Sequence, residues 1–217
     1  MSNDLTLVIW NKDLSSWSLR PCLALKHFGI PFREKNIQLD TPASKDALKA
    51  ASPSGLVPCL YDGDLMVWDS LAILEYLNDR FAEHAMWPED QDARAHARCI
   101  SAEMHSGFSA LRTVWPMMFT RENLNHLTTG GVGRDIARVA TLWTDARQRF
   151  GSHHGGPFLY GAFSIADAMY APVASRFRTY GPVNIGKDAS AWMETILSHP
   201  AMLEWGRGAE EELNSAQ

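Results

Sequence analysis

Three hydroxyls fall within four positions of this chain, Ser15, Ser16 and Ser18, with Trp17 among them and Pro21 close behind. They stand between an apolar run with strand character, Leu5 to Trp10, and an apolar run with helix character, Cys22 to Phe28. A helix's first backbone N–H groups lack partners and its dipole is positive there, so hydroxyls at such a junction suit an anion. Proline is tolerated in the first helical turn and clashes in the interior, so Pro21 predicts a helix opening between Ser16 and Ser18. The same serines could serve only as a helix cap.

Two further stretches could bind rather than build. In Ser54-Gly55-Leu56-Val57-Pro58-Cys59-Leu60 a proline stands at a strand entry, a position that a cis Val57-Pro58 bond would explain. The backbone of Val57 would then be free to pair with an extended peptide added as another strand. Trp68-Asp69-Ser70 places a carboxylate and a hydroxyl just before a helical pattern. Free N–H groups there would hold a ligand carboxylate while Asp69 paired with a ligand ammonium. A plain N-cap is the alternative for Asp69.

The elements that position these residues divide the chain into two halves of different grain. Up to Arg80 the pattern reads βαβαββα: strand Leu5–Trp10, helix Pro21–Phe28, strand Phe32–Leu39, helix Ser44–Ala51, strands Val57–Tyr61 and Leu65–Val67 about the turn Asp62-Gly63-Asp64, and helix Ser70–Arg80. The glycines of a phosphate-cradling first turn are missing, which disfavours a dinucleotide fold. After a linker from Phe81 to Asp90 the strand signals fade. A long helical pattern over 92–119, breaking at Pro116 if anywhere, is followed by helices at 134–150, 164–177 and 190–197 and a short one from Pro200. The chain is thus expected to hold an α/β domain over residues 1–82 and an all-helical domain over 88–217. Ser164-Ile165-Ala166-Asp167 is a capping box with Asp in place of Glu, and its assignment is to folding.

Composition bounds the function. A chain of 217 residues with 46% hydrophobic content can bury a full core, and a net charge of −5 argues against nucleic acid or an anionic membrane as partner. No 18-residue apolar run and no signal-peptide pattern is visible. Cys22, Cys59 and Cys99 are odd in number, widely spaced and without C-x-x-C, as expected of reduced thiols in the cytoplasm and of a protein with no metal site.

In order and spacing, these motifs resemble the glutathione transferase family over nearly the whole chain: Ser-Ser-Trp-Ser-Leu-Arg after β1, Val57-Pro58, Asp69-Ser70, and Phe163-Ser164-Ile165-Ala166-Asp167 in the helical half. The resemblance implies a thioredoxin-like glutathione-binding domain followed by an all-helical domain that forms the electrophile pocket. It implies a glutathione co-substrate and a two-fold homodimer, with exposed parts of helices 70–80 and 92–119 at the seam. It assigns the backbone of Val57 to the cysteine of glutathione and Asp69 and Ser70 to its γ-glutamyl end. Ser15 faces the sulfur, with Ser16 its neighbour; Trp17 and Pro58 adjoin the peptide, and Lys45 is a candidate for the glycine carboxylate. The electrophile pocket falls to the long helix through Met104, His105, Phe108, Ser109 and Arg112. Helical spacing also suits Met104 and Phe108 to the core, and His105 could be a general base or a surface histidine.

The arithmetic of a thiolate agrees. Lowering a thiol pKa from about 8.5 by about two units requires roughly 2.7 kcal/mol in favour of the anion. One hydrogen bond to an ionised acceptor contributes about 1.5–3 kcal/mol and a helix N-terminus about 0.3–1. Ser15 and the helix end can therefore ionise glutathione for attack on a small hydrophobic electrophile. Serine-type classes such as zeta and tau fit best, since positions 15–17 hold no cysteine. Trp17 stands where zeta members have the cysteine of Ser-Ser-Cys, which weighs against isomerisation of maleylacetoacetate. Glutathione-dependent isomerase, peroxidase and non-catalytic binding protein are the rival functions.

Overall fold

The computed structural model describes residues 4–37, 44–125, 129–152 and 155–215. Strand β1 (Leu5–Ile9) is the spine of the first half, flanked by β2 (Phe32–Asn36) in parallel and β3 (Cys59–Asp62) in antiparallel pairing, with β4 (Leu65–Trp68) antiparallel to β3. The sheet order is therefore β2-β1-β3-β4. Alternation along β1 decides which side each neighbour occupies. Leu5, Leu7 and Ile9 enter the main core with α1 (Ser16–His27) and α3 (Ser70–Arg80). Val8 faces the other way and joins Ile37, Ala51 and Cys59 beneath α2 (Ser44–Ala51).

Boundaries moved where a backbone group decided them. The Val57-Pro58 bond is cis. The strand expected from Val57 opens at Cys59, because Pro58 has no N–H to give a ladder. Register pairs Asp62 with Leu65, and Gly63 takes φ +59 in the two-residue turn. The expected end of β2 at Leu39 lies outside the described residues.

The second half is helical: α4 (Gln91–Ser106), α5 (Ser109–Val114), α6 (Gly130–Ala146) with a π turn at Arg147–Gly151, α7 (Ile165–Tyr180), α8 (Lys187–Leu197) and α9 (Pro200–Ser215). The helix expected over 92–119 breaks at Gly107, not at Pro116. Gly107 is extended and Phe108 left-handed at φ 56, and a Cβ on Gly107 would lie 2.7 Å from the Glu103 carbonyl. The break turns α5 back over α6, where Gly131 leaves room for Ala110. The last helix runs 16 residues rather than a short turn.

Helix α7 is buried along nearly its whole length and lies against α1. The two run antiparallel: Ser16 at the start of α1 meets Arg176 near the end of α7, and His27 at the end of α1 stacks on Phe163 just before α7 begins. One continuous core joins Leu23, Ile73 and Leu74 of the first half to Met169, Trp143 and Trp192 of the second. Among the described residues no helix is long and apolar enough to cross a membrane.

Candidate functional site

Helix α1 opens at Ser16, as expected, with Ser15 at the N-cap, and Pro21 falls inside it in the second turn rather than the first. The Ser15 side chain makes no cap hydrogen bond; its hydroxyl donates to Ser18 Oγ at 2.7 Å, in a buried contact. Ser16 Oγ instead accepts from Arg176 Nη2 at 3.3 Å. Neither serine side chain is consumed by capping the helix, so the alternative of a purely capping role loses its geometry.

Helix α3 begins at the same end of the molecule. Asp69 is its N-cap, with Oδ1 accepting from the N–H groups of Leu71 at 2.9 Å and Ala72 at 3.3 Å. Its other oxygen, Oδ2, lies 3.3 Å from His105 Nε2. Asp69 holds φ +76, a backbone region that costs a non-glycine residue about 1–3 kcal/mol and that clusters at ligand clamps. Ser70, fully buried, accepts from Arg20 Nη1 at 3.2 Å. His105 Nδ1 is buried with no partner, and the ring meets the Trp17 ring edge-on at 5.3 Å between centroids.

Between the two helix starts stand three guanidiniums, Arg20, Arg112 and Arg176. Their hydrogen-bond partners are all neutral: Ser70 Oγ for Arg20, the carbonyls of His105 and Gly107 for Arg112, and the carbonyls of Trp115 and Pro172 with Ser16 Oγ for Arg176. Arg20 Nε, also buried, has none. Burial, then the charges of Arg176 and Arg112, lowers the Arg20 guanidinium to about 9. Burial and then Arg112 lower Arg176 to about 10, and burial lowers Arg112. All three remain cations at neutral pH. The Asp69 carboxylate offsets part of this charge at Arg20, but no carboxylate faces Arg176, which is buried, or Arg112, which is half-buried, among the described residues; cations so placed are costly and mark a place prepared for an anion. The Trp17 ring lies against two of them, 4.2 Å from Arg20 and 4.8 Å from Arg112, a cation–π arrangement that fixes the guanidinium planes. Ser16, Trp17, Ser109, Arg112, Thr113 and Arg176 together line a cavity of about 300 Å³.

Of the residues singled out from the sequence, Ser15, Ser16, Trp17, Asp69, Ser70, His105, Ser109 and Arg112 come to this end of the fold. His105 lies on the Asp69 side rather than in the wall of the cavity. Met104 is fully buried and Phe108 nearly so, its ring against Tyr170; both pack into the main core. Val57 and Pro58 precede β3, with Val57 outside the ladder. The side chain of Lys45 lies outside the described residues. Cys22 is buried in the core beside Glu34, and burial raises its thiol pKa, so it offers no thiolate. Sequence reasoning missed Arg20, Arg176 and Thr113. The signal for Arg176 was an arginine on a helix apolar nearly all round, since such a charge must have a reason to be buried.

Residues 14–80 match the family model described as Glutathione S-transferase, N-terminal domain. The probable maleylacetoacetate isomerase of Caenorhabditis elegans is 30% identical over 194 residues, 85% of this chain and 88% of that protein. Glutathione S-transferase Z1 of Arabidopsis thaliana is 29% identical over 156 residues, 71% of this chain and 68% of its own. Among solved structures, a glutathione transferase homologue from Burkholderia gl BGR1 with bound glutathione superposes with a TM-score of 0.69 at 19% identity, covering 96% of this chain and 98% of that one.

Proposed function

The chain belongs to the glutathione S-transferase family, and from that premise we propose that it binds glutathione, ionises its thiol and directs the thiolate at an electrophile that carries a carboxylate. Glutathione lies extended, its cysteine paired with the backbone of Val57 and its γ-glutamyl carboxylate on the hydroxyl and backbone N–H of Ser70, the first residue of α3. Asp69 takes the γ-glutamyl ammonium through the oxygen that His105 steadies. The Ser15 hydroxyl turns from Ser18 to the sulfur, and Ser18 donates to Ser15 in return. The serine pair thus acts as a two-step hydrogen-bond chain whose proton order reverses when an anion arrives.

The observation that carries the reading is that Arg112, half-buried, and Arg176, buried, line the cavity with only neutral hydrogen-bond partners. A small hydrophobic electrophile, the expectation from sequence, would leave Arg112 and Arg176 uncompensated in the cavity wall. A carboxylate beside the reacting carbon would satisfy them, and Ser109 and Thr113 would complete the hydrogen bonding. The thiolate sulfur then forms a bond to the electrophilic carbon. In conjugation a leaving group departs with the bonding electrons, or an enolate is protonated. In isomerisation the same enolate rotates about the former double bond and expels the thiolate. The relative named a probable maleylacetoacetate isomerase supports the second course.

The test is turnover of maleylacetoacetate and of a neutral aryl halide, each with glutathione, by the wild type and Arg176→Met, with products identified. Removing a charge-assisted contact worth about 1.5–3 kcal/mol should raise KM for the carboxylate substrate by about ten-fold or more and leave the aryl halide within two-fold. Equal loss on both, or preference for the neutral compound, would overturn the anionic electrophile.

A further inference from the structure

A second and larger cavity, of about 580 Å³, lies where the end of α1, the stretch joining α3 to α4, and the segment before α7 converge. That volume is within the ordinary range for small-molecule sites, about 300–1,000 Å³. The chemistry of its wall is the reverse of the first. The aromatic residues His27, Phe28, His84, Trp87 and Phe163 line it together with the acidic residues Glu89 and Asp90, and no lysine or arginine does. Ser16 and His27 are the first and last residues of a 12-residue helix. At 1.5 Å per residue the two cavities are separated by roughly 16 Å along α1.

Its polar lining can be read atom by atom. The N–H of Ala201 donates to His199 Nδ1 at 3.1 Å, so that nitrogen carries no proton and His199 Nε2 does. Nε2 lies 2.9 Å from His27 Nδ1 and must donate to it, which places the His27 proton on Nε2. His199 is not part of the wall but His27 is, and among the described residues the His27 Nε2 hydrogen has no partner. Protonating either ring would set donor against donor, and burial together with His199 lowers His27 to about 4, keeping the pair neutral. Among the described residues, the ring nitrogens of His84 and the carboxylate of Glu89 have no partner either.

We propose that this cavity is a second small-molecule site, which takes a flat, uncharged aromatic compound carrying a hydrogen-bond acceptor. The rings supply stacking and edge contacts, His27 donates to the acceptor, and the acidic pair Glu89 and Asp90, with Arg94 held on the carbonyls of Pro88 and Glu89 rather than in the wall, turns anions away. Glutathione and the carboxylate-bearing electrophile are thereby excluded from it, so occupancy is independent of the first cavity.

The test uses coumarin, flat and neutral with a carbonyl acceptor, and coumarin-3-carboxylate as its anionic counterpart. Each is titrated by ligand-observed NMR into the protein saturated with S-hexylglutathione. Saturable coumarin binding at one per chain is expected, within two-fold of that without the glutathione derivative, and the carboxylate should bind at least ten-fold more weakly. Ala162 is an exposed wall residue, so Ala162→Phe should fill the space without disturbing packing and abolish coumarin binding. His27→Phe, which keeps the ring and deletes the N–H, should weaken it about ten-fold, the worth of one hydrogen bond. Absence of saturable binding, displacement by S-hexylglutathione, equal affinity for the carboxylate, or full affinity in Ala162→Phe would each overturn the proposal.

Discussion

Ser15 and Ser16 are neighbours with different partners, and removing each should be felt in a different measurement. Ser15→Ala takes away the hydroxyl assigned to the sulfur and should leave glutathione affinity nearly unchanged, since the proposed binding mode gives the rest of the peptide to Val57, Asp69 and Ser70. The thiol pKa in the complex should rise by about 1–2 units, because that bond is worth about 1.5–3 kcal/mol to the anion. Turnover at neutral pH falls accordingly and recovers at alkaline pH. Ser16→Ala removes an acceptor from Arg176 and should act on KM for the carboxylate substrate instead. Titration of thiolate absorbance in both variants separates the roles, and a pKa rise confined to Ser16→Ala would shift the register by one. The serines, Asp69 and Ser70 were legible in the sequence because they stand at helix starts, where few residue types do the work. Which serine meets an arginine 160 positions away was not legible, since that depends on how α7 crosses α1.

At the scale of the element, the start of α7 shows the same division. The capping box Ser164–Asp167 was readable from four letters. Asp167 proves to hold more: Oδ2 accepts from both the N–H and the hydroxyl of Ser164, and Oδ1 from the Leu159 N–H at 3.0 Å and the Trp192 indole at 2.7 Å. These last two tie α8 and the preceding loop to the α7 start and have no local signature. Asp167→Asn turns an acceptor-only group into one with donors facing donors, and should cost about 3 kcal/mol or more in a urea titration. A loss under about 1 kcal/mol would reduce Asp167 to an ordinary cap. The other end of α1 gives a pH dependence. Burial depresses His27, His199 and His96, so between about 6.5 and about 4 the unfolded chain binds more protons than the folded one. Stability should therefore rise with pH across that window and fall on acidification. His27→Phe should flatten the slope of urea midpoint against pH, and an unchanged slope would show that His27 does not carry it. The break at Gly107 escaped sequence reading because glycine is tolerated within a helix. Only the approach of α5 to α6 fixes the turn there.

Over the whole molecule, the alternation of strands and helices before Arg80 and the helices after Trp87 were written in periodicity. Their joining was not, because the core that unites them is built from residues far apart in the chain. Whether residues 1–82 and 88–217 fold as separate units is open to proteolysis, and the shared core argues for a single cooperative one. The exposed apolar surface is also a matter of the whole. Leu65, Met66 and Trp68 on edge strand β4, with Leu56 nearby in sequence, are each 40–66% exposed. Soluble monomers seldom leave such an edge bare. The homodimer expected from the family should therefore bury β4 as well as the exposed parts of α3 and α4. Light scattering at micromolar concentration should give twice the chain mass, and Met66→Glu with Trp68→Arg should halve it. A monomer in the wild type would leave this edge unexplained.

The guanidiniums of Arg112 and Arg176, which face no carboxylate among the described residues, have a consequence for how the protein behaves in a tube before any substrate is added. A folded state that carries buried positive charge, facing an unfolded state that does not, is stabilised by whatever small anion the buffer contains. An anion present at 100 times its dissociation constant adds about 2.7 kcal/mol, which for a chain of this size is a rise of about 5–10 °C in melting temperature. Scanning the protein in chloride and then in citrate should separate the two melts. Arg176→Met should bring them together, and identical melts of the wild type in both salts would mean that the cluster binds no anion. Melting temperatures of this protein are therefore comparable only at matched anion composition.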